Sequence, residues 1–336
     1  MKAILTPRYG SPSVLTIGHL PDLLPGPGEV LVAVHASPVT AGDRRLRAAD
    51  FPGISAVFGR LLIGLRAPRE PVQGTMFAGR VAAVGAQVTR FAVGDDVFGA
   101  VDHGAWAEQL VIRADGAIAH RPAQVSAAQA AAAPYGAGTA IHFLRDLARV
   151  RPGERVLILG GSGGVGRFAV QVARHLGAHV TAVGSKASFP LMRSLGANEV
   201  LDYRTQDFTQ TGEHYDVIFD IADASCFRHS RPALTPTGRY LTLFISLRVF
   251  AQMAWTRMFG RQKALFSVAT TDRAIAETIR DWLAEGVITP VIAAAVPLDR
   301  AVEAHERAEA DAHGDVVIQV RPAVSALAAG RVGSAG

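Results

Sequence analysis

The stretch "VLILGGSGGVGRFAVQVARHLGAHVTAVGSK", residues 156–186, decides the fold. An apolar run ends in Gly160-Gly161-Ser162-Gly163-Gly164-Val165-Gly166, and an amphipathic run follows at once. Strand, tight turn, helix and second strand in that order predict a βαβ unit. Within the turn, Gly161-x-Gly163-x-x-Gly166 divides the work. One glycine leaves the strand sharply, one lets a pyrophosphate reach the backbone without a Cβ in the way, and the last lets the helix pack on the strand. The helix start adds unpaired N–H groups and a partial positive charge. Residues 160–166 therefore predict dinucleotide binding; a purely structural glycine turn is the alternative.

The second strand identifies the dinucleotide. An NAD site places Asp or Glu about 20 residues on, against the ribose hydroxyls. Here that strand ends in Gly184-Ser185-Lys186, with no acid. A small residue, a hydroxyl and a cation suit a 2′-phosphate, so NADPH is expected over NADH. Lys186 is one of only three lysines, although a plain solvated lysine is the other reading. Tyr203 and Arg204, after the third strand, are candidates for the adenine and phosphate side.

Outward from this unit, alternation of strands and helices continues from residue 123 to about 287 and predicts a doubly wound parallel sheet. "RVLILG", "HVTAVGS", "EVLDY", "DVIFDIA" and "RYLTLFI" read as its strands. The segment "SAAQAAAAPYGAGTAIHFLRDLARV" reads as helix interrupted at Pro134-Tyr135-Gly136. The first third is β-rich, with period-two alternation and glycine turns. Residues 44–74 break that style and predict a long excursion, helical around 54–65. The end reads strand, helix, strand, and then a small-residue tail at 322–336.

Composition narrows the function. With one cysteine, Cys226, the chain has neither an internal disulfide nor a multi-thiolate metal site. That thiol content and a start without a long apolar stretch predict a cytoplasmic, reducing setting. The net charge of +5 is scattered, and aromatics at 7% are too few for a stacking platform, so no nucleic-acid partner is expected. "YLTLFISLRVFAQMAWTRMF" (240–259) is the most apolar window, but Arg248 and Gln252 break it. It reads as a buried strand running into an amphipathic helix rather than a transmembrane segment, with lipid contact as the lesser alternative.

In order along the chain, "GEVLVAVHASPVTAGDRRLR", "VGAQVTRFAVGDDVFG", "GAWAEQLVI", "AAAAPYGAGTAIHFL", "VLILGGSGGVGRFAVQVA", "SLGANEVLDYR" and "GDVVIQV" make it resemble the medium-chain dehydrogenase/reductase superfamily. The resemblance covers nearly the whole chain. It implies a GroES-like β-rich domain from residues 1–122 and 288–321, a Rossmann NADP-binding domain from 123–287, and a cofactor cleft between them. It also implies a homodimer joined through sheet edges, for which "RYLTLFI" is the expected strand. A zinc-dependent relative would have Cys, His and a third ligand where this chain has Thr40, Thr75 and Tyr135. Two threonines and a phenol suit Zn²⁺ poorly, so no metal ligand is expected. The chain looks like the zinc-free NADPH:quinone oxidoreductase (zeta-crystallin-like) and enone reductase branch. It departs from that branch at Thr40, often Asn, at Met76, often Asp, and at Asp315, usually Lys or Arg.

On this resemblance Thr40, Tyr135 and Asp43 are the candidate catalytic residues, and Thr139, Phe244 and Ile245 join the cofactor set. Tyr135 is either a proton donor or packing beneath the nicotinamide. Asp43 is alternatively a helix cap or a partner for Arg44 or Arg47. Met76, Phe58 and Phe244 suggest an apolar pocket. The expected function is hydride delivery from NADPH to a small quinone or α,β-unsaturated carbonyl. A zinc-independent alcohol or aldehyde oxidoreductase and an NADPH-binding sensor with little turnover stay open.

Overall fold

The computed structural model describes residues 1–50, 63–310 and 313–320. Phe58, most of the helical stretch expected at 54–65 and the tail expected at 322–336 lie outside them. The strands before the glycine turn are β1 (Lys2–Leu5), β2 (Thr16–His19), β3 (Glu29–Pro38), β4 (Met76–Val84), β5 (Asp96–Ala100), β6 (Gln109–Arg113) and β7 (Ile118–His120). Then come β8 (Arg155–Leu159), β9 (His179–Gly184), β10 (Glu199–Asp202), β11 (Tyr215–Asp220), β12 (Leu234–Thr242) and β13 (Lys263–Phe266), followed by β14 (Ile292–Pro297) and β15 (Asp315–Gln319).

Strands β8 to β13 form one parallel six-stranded sheet in the order β10-β9-β8-β11-β12-β13. The order reverses direction at β8, which is the doubly wound Rossmann arrangement, and the crevice opens at the strands' carboxyl ends. Its central strands are near-continuous apolar runs because helices cover both faces. The other large sheet runs β14-β15-β3-β4-β5-β7, with β6 also on β3. Its pairings are antiparallel except β14 on β15, the two strands to which the chain returns after leaving the first sheet.

The Ala127–Ala140 helix ties the sheets together. It is buried nearly all round, and one apolar cluster joins Ala131 and Ala137 to Ala78 and Val317 of one sheet and to Val156 and Phe219 of the other. Small side chains allow that approach. A Cβ on Gly136 would lie 2.3 Å from Phe168 and 2.7 Å from the Gly164 carbonyl oxygen, so this helix packs directly on the glycine turn.

Two expectations change. The helix is not interrupted at Pro134-Tyr135-Gly136: it runs through Pro134 and continues as a π-helical turn, Ile141–Leu147. Its burial against two sheets outweighs the hydrogen bond that proline removes, about 3 kcal/mol in an exposed helix. The "RYLTLFI" segment is not an edge strand either. β12 is covered by β13, and β13 is the edge. The four-residue "KALF" run that forms it is too short for a periodicity argument.

Candidate active site

A cleft of about 600 Å³ opens where the carboxyl ends of β8, β11 and β12 face the segment after β3 and the start of β15. Gly160, Ser162, Gly163, Gly164 and Val165 line it from one side, and Thr40, Arg44 and Arg45 from the other. Tyr135, Thr139 and Phe143 of the central helix and its π turn line it too, with Leu243, Phe244 and Phe266. This volume falls within the range of small-molecule and cofactor sites.

The glycine turn is closed on its inner face and open on its outer one. Gly160 has φ +90°, and the N–H groups of Gly160 and Gly161 both donate to the Val183 carbonyl, at 3.1 and 2.9 Å. A Cβ on Gly166 would lie 2.0 Å from the Gly160 oxygen, and one on Gly161 2.9 Å from Ala182. On Gly163 the nearest atom would be 3.4 Å away, and on Gly164 4.0 Å. Gly163 also caps the Gly164–His175 helix without a side-chain bond, which leaves first-turn N–H groups for a ligand. An open backbone cradle at a helix start fits the pyrophosphate of a dinucleotide.

Ser185, Lys186 and Tyr203 lie beside that cradle but not on the cleft lining. β9 pairs β10 with Gly184 opposite Asp202, which brings residues 185–186 and Tyr203 to the same end of the sheet. Ser185 Oγ lies 3.3 Å from Ser188 Oγ, Lys186 is exposed, and Tyr203 is 59% exposed with the Arg204 guanidinium over its ring. Ile245 does not line the cleft, whereas Phe244 does and carries the Arg45 guanidinium 5.4 Å above its ring.

At the other end, Thr40 caps the Ala41–Ala48 helix in a capping box with Asp43. Asp43 is fully buried beneath the lining. It accepts from Thr40 N at 2.9 Å, Thr40 Oγ1 at 2.6 Å and Thr75 Oγ1 at 3.0 Å. Burial raises its pKa, and the Thr40 and Thr75 hydrogen bonds oppose that. Tyr135 stands over Gly42. Burial, and then the Asp43 charge, push its phenol pKa up against Arg45 and Arg44, so it keeps its proton and can donate one. Thr139 Oγ1 donates back to the Tyr135 carbonyl at 2.7 Å. The zinc-ligand positions thus hold hydroxyls and a phenol, and the Asp43 carboxylate beneath them already accepts three hydrogen bonds. The donor set does not fit a zinc ion. Among the described residues no group of three His, Cys, Asp or Glu side chains is arranged to hold a metal.

Two features of the site escaped the sequence reading. Arg167, in the first turns of the Gly164–His175 helix, bonds the Ser162 carbonyl at 3.0 Å and Asp315 Oδ1 at 2.7 Å, joining the glycine turn to β15. Burial raises the Asp315 pKa, and Arg167 opposes the rise. A cation this near a helix N-terminus opposes the macrodipole, which was the available signal that Arg167 needs a partner. Asp220, at the end of β11, accepts from the N–H groups of Ala222, Ala224 and Ser225 and from Tyr240 OH. It fixes the turn whose Ala222 packs against Gly160.

Residues 26–123 match the family described as alcohol dehydrogenase GroES-like domain, and 195–318 match zinc-binding dehydrogenase. The chain is 32% identical over 279 residues to the chloroplastic quinone-oxidoreductase homolog of Spinacia oleracea, covering 79% of this chain and 81% of that one. It superposes on the quinone oxidoreductase of Coxiella burnetii with a TM-score of 0.83 and 26% identity, over 96% and 99% of the two chains. A mycobacterial protein complexed with NADPH superposes with a TM-score of 0.78 and 26% identity, over 95% and 100%. The chain also matches a polyketide synthase of Mycobacterium tuberculosis, of whose length it spans 10%. The glycine turn, the Rossmann strand order and these likenesses together define a nicotinamide-dependent oxidoreductase. The chain belongs to the medium-chain dehydrogenase/reductase superfamily, in its quinone oxidoreductase branch.

Proposed function

We propose that this protein is a zinc-independent, NADPH-dependent reductase of small apolar quinones or α,β-unsaturated carbonyls. The observation that carries the reading is a cleft with an open glycine cradle at one end and, at the other, the Tyr135 phenol, which keeps its proton. NADPH, when bound, supplies the hydride. Gly163, Gly164 and Val165 would hold its pyrophosphate through backbone N–H groups, and Ser185 and Lys186 its 2′-phosphate. Tyr203 would stack beside the adenine end, and Thr139 and Phe244 would bound the nicotinamide end. Ile245 would act only through its neighbour.

In this reading Tyr135 donates a hydrogen bond to the acceptor's oxygen as negative charge develops there, while Thr40, whose hydroxyl proton goes to Asp43, bounds the site beside it. Tyr135 is the group placed to pass it a proton. Asp43 is a positioning group, because it orients Thr40 and keeps the start of the Ala41–Ala48 helix in place. Phe143, Leu243 and Phe266 exclude water from the reacting end. The β13 edge supports a homodimer, and the low cysteine content is in keeping with a cytoplasmic setting.

The test is turnover by EDTA-dialysed protein with NADPH and either benzoquinone or a medium-chain enone. Retained turnover, lowered at least about tenfold by Tyr135→Phe, supports the proposal. Activity that vanishes and returns with added zinc overturns it. Tight NADPH binding without turnover on either acceptor points to a sensor instead.

A further inference from the structure

The Leu247–Phe259 helix is apolar on both sides: Met253 packs inward on the cluster that includes Tyr240 and Ala264, while large apolar side chains face out. Its inward side carries Gln252 and Thr256, and Thr256 is locked to β13: its carbonyl accepts from Lys263 Nζ at 2.7 Å and its hydroxyl from Ala264 N at 3.2 Å. Its outward side is apolar. Leu247, Trp255, Met258 and Phe259 are 72%, 50%, 75% and 71% exposed, and Phe250 is 44% exposed. At 100° per residue Leu247, Ala251, Ala254 and Met258 form one stripe, with Arg248 and Arg257 on its two flanks. An outward stripe this large marks an interaction surface.

Charge says what covers it. From Ala224 to Thr271 the sequence holds no Asp or Glu but seven cations, Arg228, Arg231, Arg239, Arg248, Arg257, Arg261 and Lys263. Of these, Arg239 is paired with Glu154, and none of the other six forms an ion pair among the described residues. A groove of about 350 Å³ beside the helix sets Arg231 and Arg261 against Trp255 and Phe259. A second copy seated face to face on this stripe about a two-fold axis would set Arg248 and Arg257 of the two copies against each other. Apolar side chains in the middle, arginines on the flanks and an aromatic at the rim are the arrangement of a helix lying in a membrane interface. We propose that this face docks on bilayers carrying anionic headgroups, with Leu247, Met258 and Phe259 entering the acyl boundary and Arg231, Arg257 and Arg261 meeting the headgroups.

The experiment is co-sedimentation of the full chain with phosphatidylcholine vesicles and with vesicles that also contain phosphatidylglycerol. Trp255 emission is followed in parallel, because Trp106 is fully buried and Trp282 partly so. The proposal predicts binding to the anionic vesicles only, a blue shift on binding, and release by high salt. It predicts at least about tenfold weaker binding for both Arg257→Glu/Arg261→Glu and Met258→Ser/Phe259→Ser, with unchanged circular dichroism. Absence of binding by the unaltered protein overturns it. So does binding that both variants retain, and so does a dimer that Met258→Ser/Phe259→Ser dissociates while vesicles stay unbound.

Discussion

His305 makes the wall of the cleft sensitive to acid. It lies on the Ala301–Glu309 helix, 0% exposed, edge-on to Trp106 with ring centroids 4.7 Å apart. Its ring nitrogens have no protein partner among the described residues. Burial, then the charges of Arg47 and Arg44, lower its pKa from 6.5 to about 3. The same helix anchors the cleft: Arg44 bonds the Ala308 carbonyl at 2.9 Å, and Arg47 pairs with Glu309 at 2.5 Å. For a base with a depressed folded pKa, the unfolded chain takes up a proton that the folded chain refuses. Stability is therefore fully present above about pH 6.5 and is lost as pH falls from there toward 3. Between about pH 7 and pH 5 the loss from this one group is about 2 kcal/mol. The assay is urea unfolding at both pH values for the unaltered protein and for His305→Phe, whose ring fits the same space without a titrating nitrogen. The variant should lose about 2 kcal/mol less over that interval. Equal losses in both proteins would show that His305 is either charged when folded or relieved by contacts that burial conceals.

Three further outcomes follow from the site. Arg167→Met leaves the half-buried Asp315 carboxylate without its partner and should cost about 1–3 kcal/mol in urea unfolding at neutral pH, most of it restored in Arg167→Met/Asp315→Leu. Gly163→Ala should fold with an almost unchanged melting temperature, since a Cβ there has room, yet bind NADPH at least about tenfold more weakly because the methyl fills the cradle; isothermal titration measures it. Lys186→Ala should raise the KM for NADPH about tenfold and leave that for NADH nearly unchanged, as loss of one charge-assisted bond requires.

What the sequence disclosed depended on whether the signal was local. The glycine turn and the strands β8, β9 and β11 were legible, because each combines an apolar run with turn chemistry at a fixed offset. β13 was not, since its four residues acquire meaning only from β12 beside it. Pro134 misled, because proline's cost is local while the burial that offsets it comes from two distant sheets. In the site, Thr40 and Asp43 stood out through the family resemblance, and the capping box that joins them shows only in the fold. Arg167 and Asp315 are 148 residues apart, and no periodicity connects them. The exposed face of the Leu247–Phe259 helix was half legible. Its apolarity showed in the sequence, but only the fold reveals that an apolar side faces outward.

The central claim is that this cleft transfers hydride from NADPH. It is tested most directly by following NADPH and NADH oxidation side by side in EDTA-treated protein, with benzoquinone and a medium-chain enone as acceptors. The account predicts turnover with NADPH and little with NADH, and the better acceptor identifies the substrate class. A clear preference for NADH would contradict the role given to Ser185 and Lys186, and no oxidation of either cofactor would contradict the reductase itself.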